Sequence, residues 1–159
     1  MKRRHFLLAL TLPLAGCGFQ LRGAQRIPYR SVYIQTPDRE SAFVRRLEQT
    51  LKDNQVAIGA SAREADAVLI LSQEKKNRTI LALSGGGRVR EYRLNYAVNY
   101  SLNDREGKTI YPDSLIQLTR DFTYDDNLYL AKNAEEAFLY RDLEEDASQQ
   151  ILRRLRSAR

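Results

Sequence analysis

The sequence is poor in the side chains that do most enzymatic and metal chemistry. It holds one Cys, one Met, no Trp and a single His, and both His5 and Met1 lie in the first few residues. The rest of the chain therefore has no imidazole base, and with one Cys no internal disulfide can form. A zinc site of Cys and His ligands is excluded on the same count. Metal binding would fall to carboxylates alone, and the cluster Glu144-Glu145-Asp146 reads as the solvated face of a helix. Ser84-Gly85-Gly86-Gly87-Arg88 lacks the Gly-Lys-Ser/Thr ending of a phosphate loop and reads as a flexible turn. No hydrophobic run reaches the roughly 20 residues that a membrane-spanning helix needs. Neither an enzyme nor a cofactor is expected.

What is present begins at the N-terminus. Lys2-Arg3-Arg4-His5 is a positive segment, Phe6 to Ala15 a short apolar one, and Leu14-Ala15-Gly16-Cys17 follows directly. These are the parts of a secretion signal in order, ending in the lipobox of bacterial lipoproteins. The small residues fit a peptidase cleft, and the Cys17 thiol is the nucleophile that receives a lipid. The expected division is a signal over 1–16, a lipidated tether over 17–29 and one domain over 30–159. The expected anchor is an S-diacylglycerol and an N-acyl chain on Cys17. Arg3-Arg4 also resembles a twin-arginine motif, which leaves the export route open. Gly18 stands where an Asp retains such proteins at the inner membrane, so the outer membrane, periplasmic side, is the expected location. Loss of Lys2, Arg3 and Arg4 with the signal takes the net charge from +6 to +3. Nucleic-acid binding is not expected of so modest an excess outside the cytoplasm.

The domain reads as β-α-β-β-β-α. Ser31 to Gln35 is a short strand. Thr36-Pro37-Asp38 resembles a helix start, with Phe43, Val44, Leu47 and Leu51 as the apolar stripe of a helix reaching about Asn54. Ala67 to Leu83 is a long strand candidate whose middle, Glu74 to Arg78, interrupts it with charge. Tyr92, Leu94, Tyr96, Val98, Tyr100 and Leu102 alternate with polar or small residues, a period of two that fixes one face inward. Thr109 to Tyr124 returns as a strand, and Pro112 within it argues for an edge or a bulge. Ala131 to Arg156 is a long amphipathic helix, its stripe read as Ala134, Phe138, Leu143, Ala147, Ile151 and Leu155 with Leu152 beside it. The expected fold is α/β of the α+β type: two helices on one face of a four-stranded, largely antiparallel sheet, the other face polar and open.

Cys17-Gly18-Phe19-Gln20-Leu21-Arg22-Gly23 resembles the start of the mature LPS-assembly lipoprotein LptE family. Glu91-Tyr92, Ile110-Tyr111-Pro112, Arg120-Asp121-Phe122, Leu130-Ala131-Lys132 with Glu135-Glu136, and Asp146-Ala147 through Leu155 continue the resemblance in order. It implies an outer-membrane lipoprotein that plugs the lumen of the β-barrel protein LptD, helps assemble it and contacts lipopolysaccharide. Lys132 falls at a position where a lipid-binding role is implied. The family also places a basic residue near the tip of a hairpin. Here the tip is Ser84 to Gly87, and Arg88, Arg90 and, behind them, Arg78 are the nearest cations. Arg88, Arg90 and Lys132 are thus candidates for a lipopolysaccharide patch, against the alternative of ordinary solvated cations. The competing function is a periplasmic lipoprotein adaptor of another envelope assembly complex.

Overall fold

A computed structural model of the chain describes residues 27–158. The signal, the lipobox and the tether as far as Arg26 lie outside the described residues. The elements are β1 (Ser31–Gln35), α1 (Ala42–Asp53), β2 (Ala57–Ile58), β3 (Ala67–Leu83), β4 (Val89–Asp104), β5 (Thr109–Thr123) and α2 (Tyr129–Ser157), with a 3-10 turn at Asp126–Leu128 leading into α2. The sheet has five strands in the order β2-β1-β3-β4-β5. The strand missed in the sequence is β2, two residues pairing parallel to β1 and too short to carry an alternation. β1 and β3 are also parallel, while β3-β4 and β4-β5 are antiparallel.

Three long strands therefore run side by side, and β1 covers only one end of them. Its pairing reaches from Val32–Ala67 to Gln35–Ile70 and stops. We call this end, which also holds the β4-β5 turn and the C-terminus of α2, the proximal end. The β3-β4 turn and the start of α2 mark the distal end.

Both long turns close in the same way. Gly87 donates to the Ser84 carbonyl at 2.9 Å and Gly107 to the Asp104 carbonyl at 3.1 Å. Each glycine has positive φ, 75° and 87°, the left-handed conformation that a three-residue hairpin loop requires at that point.

The helix start expected at Thr36-Pro37-Asp38 is a turn instead. Asp38 N–H donates to Thr36 Oγ1 and Glu40 N–H to Asp38 Oδ1, so these side chains serve local bonds that compete with helix. Ser41 caps α1, accepting from Phe43 N–H at 3.2 Å. The other end closes without glycine: Gln55 N–H donates to the Lys52 carbonyl and Val56 N–H to that of Leu51. Gln55 takes φ 64°, and the burial of both Val56 and Leu51 completes this helix stop.

The charged stretch Glu74 to Arg78 does not interrupt β3, which is continuous. Glu74, Lys76 and Arg78 pair with Val98, Tyr96 and Leu94, so they lie on the helix-bearing face, where each finds a partner. Pro112 sits on the edge strand next to a register shift between Tyr100 and Leu102, so edge and bulge coincide there.

The core unites the inward face of β4 with Val32, Ile34, Leu69, Leu71 and both helices. Phe43 meets Tyr96 edge-on at 5.8 Å between ring centroids, an arrangement aromatic pairs favour. Leu143, Ala147, Ile151, Leu152 and Leu155 of α2 are buried as expected. Phe138 and Ala134 are not; both are exposed. The step from Phe138 to Leu143 is five residues, about 140° round the helix beyond one full turn. The apparent single stripe is two stripes on different sides of α2, and only the second faces the core.

Candidate functional site

Two polar regions stand out: one buried at mid-sheet, one open at the distal end. The buried one is centred on Glu144, which contradicts its reading as part of a solvated acidic cluster. Glu144 is 2% exposed. Lys76 Nζ donates to its Oε1 at 2.5 Å and Arg46 Nε to its Oε2 at 3.5 Å. Lys76 also lies 3.4 Å from Glu74, and Glu74 accepts from Tyr96 Oη at 3.2 Å and Ser41 Oγ at 2.5 Å. Two carboxylates, two cations, a phenol and the α1 cap thus tie both helices to β3 and β4. Burial works against the Lys76 ammonium, but its bond to Glu144 and the charges of Glu144 and Glu74 outweigh it and hold the group above the ordinary lysine range. Burial, and then Glu74, push the Tyr96 phenol far above its usual value. Every polar member has a partner, as a buried network requires, so this region is structural glue with no group left for a ligand.

The distal end is built differently. Lys132 lies in the first turn of α2, and its Nζ donates to Thr123 Oγ1 at 3.3 Å and to Glu135 Oε2 at 2.8 Å. Thr123 pairs with Glu91, the neighbour of Arg90 on β4. The Tyr124 N–H donates to the Arg90 carbonyl at 2.8 Å. Arg88, Arg90, Tyr124, Asp125 and Asp126 line one small cleft. The structure therefore brings Lys132, Arg88 and Arg90 to one end of the molecule. It also places Asp125, Asp126 and Glu135 among them, acids the sequence reading had not joined to the patch. Arg78, behind the tip, is engaged: it bonds Glu136 at 2.5 Å and lies 4.5 Å above the Tyr92 ring. Tyr92 in turn packs with Phe122 and Tyr124. Around this end Ile80, Leu83, Leu128, Tyr129 and Leu130 are exposed, Leu130 by 82%.

The sheet face away from the helices is the third surface. Cross-strand rows on it read Thr79-Arg93-Asp121, Asn77-Asn95-Thr119, Lys75-Ala97-Gln117 and Gln73-Asn99-Leu115. Amides and hydroxyls dominate, and its one ion pair, Arg93–Asp121, is bidentate at 2.7 and 2.8 Å. That bond, with the guanidinium charge, holds the Asp121 carboxyl below its usual range. Among the described residues no cluster of three potential metal ligands occurs, and no helix is long and apolar enough to cross a membrane. Cys17 lies outside the described residues.

Comparison with known proteins agrees with this architecture. A family model described as LptE, lipopolysaccharide-assembly, matches residues 29–155. The LPS-assembly lipoprotein LptE of Photorhabdus laumondii is 29% identical over 161 residues, covering 96% of this chain and 86% of that protein. That of Pectobacterium atrosepticum is 28% identical over 162 residues, covering 98% and 86%. Among solved structures, lipoprotein B of Nitrosomonas europaea superposes with a TM-score of 0.73 at 36% identity, covering 86% of this chain and 88% of the other. The rare lipoprotein B of Shewanella oneidensis gives 0.70 at 26% identity, covering 80% and 94%. With the family model spanning the whole helix-on-sheet domain, the chain belongs to the LPS-assembly lipoprotein LptE family.

Proposed function

We propose that this chain is a lipid-anchored protein on the periplasmic side of the outer membrane that plugs the LptD β-barrel, assists its assembly and contacts lipopolysaccharide. The observation that carries the reading is the open sheet face. Three long strands present amides, hydroxyls and a self-neutralised ion pair, with no helix over them. The interior of an outer-membrane barrel is polar and wet, and a compact body with such a face fits it, Lys75 being the one cation of these rows with no ion partner among the described residues. Lipidation of Cys17 supplies the anchor; acyl chains of this kind hold a protein at a membrane when two or more act together.

Lipopolysaccharide enters through its phosphates. Arg88, Arg90 and Lys132 form the patch that meets them, since guanidinium and ammonium groups bond phosphate oxygens with charge assistance. Lys132 is bonded to Glu135, so a phosphate must compete with that carboxylate for it. No cofactor takes part, and the role is one of binding rather than catalysis.

The test is affinity purification of the full lipoprotein, tagged at its C-terminus, from detergent-solubilised outer membranes. An LptD-type barrel recovered in one-to-one amount supports the reading. Recovery of another envelope complex instead would establish the adaptor alternative.

A further inference from the structure

β1 leaves β3 after the Gln35–Ile70 pair, yet β3 runs on to Leu83. From Leu71 onward it has β4 on one side and, among the described residues, no strand on the other. This second edge is hidden in the strand order, where β3 counts as an interior strand. The stretch Gln73 to Ile80 keeps an unbroken register with β4, so its outward N–H and C=O groups form a regular row, although within the stretch the Asn77 carbonyl already accepts from Tyr140 Oη of α2 at 2.8 Å. An open groove of about 520 Å³ lies where the row begins. Thr36, Pro37 and Ala42 form one wall, and Ser72, Gln73 and Glu74 lie along the β3 side. The groove continues the line that β1 abandons when it turns at Thr36. Lys75 in the middle of the row points to the open sheet face beside the neutral Ala97 and is in no ion pair among the described residues.

We infer that Gln73 to Ile80 of β3 is a strand-addition site, which takes an extended segment of the barrel partner carrying a carboxylate opposite Lys75. The inference rests on the plug reading given above. A free edge, a groove in line with it and an unpaired cation at its centre are the components of recognition by strand addition: backbone bonds give affinity, side chains facing alternate sides give selectivity. A closed barrel wall has no free edge to offer, so the segment comes from a loop or a terminal stretch of that partner. The edge of β5 is the natural comparison. Its early part carries Pro112 and a register shift, which discourage pairing there, while Ser114 to Thr123 keeps an unbroken register with β4 and is the edge to measure beside Gln73 to Ile80.

Hydrogen exchange on the full lipoprotein, alone and purified with its barrel partner, tests this. In the complex, amides within 73–80 that exchange freely in the lone protein are expected to slow by about tenfold or more, while those of 114–123 change little. Lys75→Glu is expected to lower barrel recovery, and Lys75→Arg to preserve it. A barrel recovered with 73–80 unprotected, or with the new protection on β5 instead, overturns the strand-addition site and leaves the plug standing. Full recovery with Lys75→Glu overturns the acidic segment. If no barrel is recovered, both readings fall together.

Discussion

The two halves of α2 are one continuous helix with opposite destinies. From Leu143 to Leu155 it buries five apolar side chains against the sheet and α1. From Tyr129 to Asp142 it buries none completely; Leu139 and Tyr140 pack against the rim of the core, and polar contacts add to them: Lys132 to Thr123, Glu136 to Arg78, and Tyr140 Oη donating to the Asn77 carbonyl at 2.8 Å. The proximal half is where the fold gets its stability. The distal half keeps apolar and cationic groups at the surface, a combination that folding does not require and that an amphiphilic ligand with phosphates would use. Glu144 stands at the boundary and ties α2 to β3 through Lys76 and to α1 through Arg46.

The comparison can be broken most sharply by paired truncations on α2. Leu143→Ala should lower unfolding stability by about 2–5 kcal/mol, read from the midpoint of urea unfolding. Leu130→Ser and Phe138→Ser should stay within about 0.5 kcal/mol. Equal losses in both halves would erase the distinction.

At the boundary, Lys76→Ala should cost on the order of 3 kcal/mol, because a buried carboxylate loses its nearest cation. The same network sets an alkaline limit. The folded-state pKa values of Lys76 and Tyr96 both lie above their ordinary ones. Their contribution is therefore fully present below about pH 9, where neither group titrates appreciably in the unfolded chain. It declines as pH rises further, because the unfolded chain releases these protons first. Urea midpoints should stay flat from pH 7 to 9 with respect to this network and fall beyond about 10. Tyr96→Phe should make that fall shallower.

How much of this was legible in the sequence follows the same division. The alternation from Tyr92 to Leu102 needs no tertiary context, because a strand with one buried face writes period two directly. The glycine turn at Ser84 to Gly87 and the stripe of α1 were readable for similar reasons. Glu144 was not, since a carboxylate in an acidic run gives no local sign that Lys76, far away in the chain, will meet it. The charged middle of β3 misled for the matching reason: its inward residues are salt-bridged instead of apolar. Phe138 misled because helical spacing was followed across a five-residue step that moves the stripe round the helix. Thr36-Pro37-Asp38 carried the residue types of a cap, but Ser41 was the one placed to meet a free N–H. At the distal end the sequence supplied Lys132, Arg88 and Arg90, while only the β4-β5 register and the Thr123 contact bring them together. Asp125 and Asp126 gave no signal of membership, because their closeness to Arg88 is made by the fold.

The most direct test of a folding end and a binding end is one variant with two readouts. Arg88→Ala, Arg90→Ala and Lys132→Ala combined should stay folded: the exposed Arg88 and Arg90 cost little, and the mostly covered Lys132, which gives up its bonds to Thr123 and Glu135, costs on the order of 1 kcal/mol, a few degrees of melting temperature. The same variant should bind purified lipopolysaccharide at least tenfold more weakly, and the loss should shrink as salt is raised and the parent's own electrostatic attraction is screened. Unchanged lipopolysaccharide binding by the folded triple variant would contradict the assignment of the distal end.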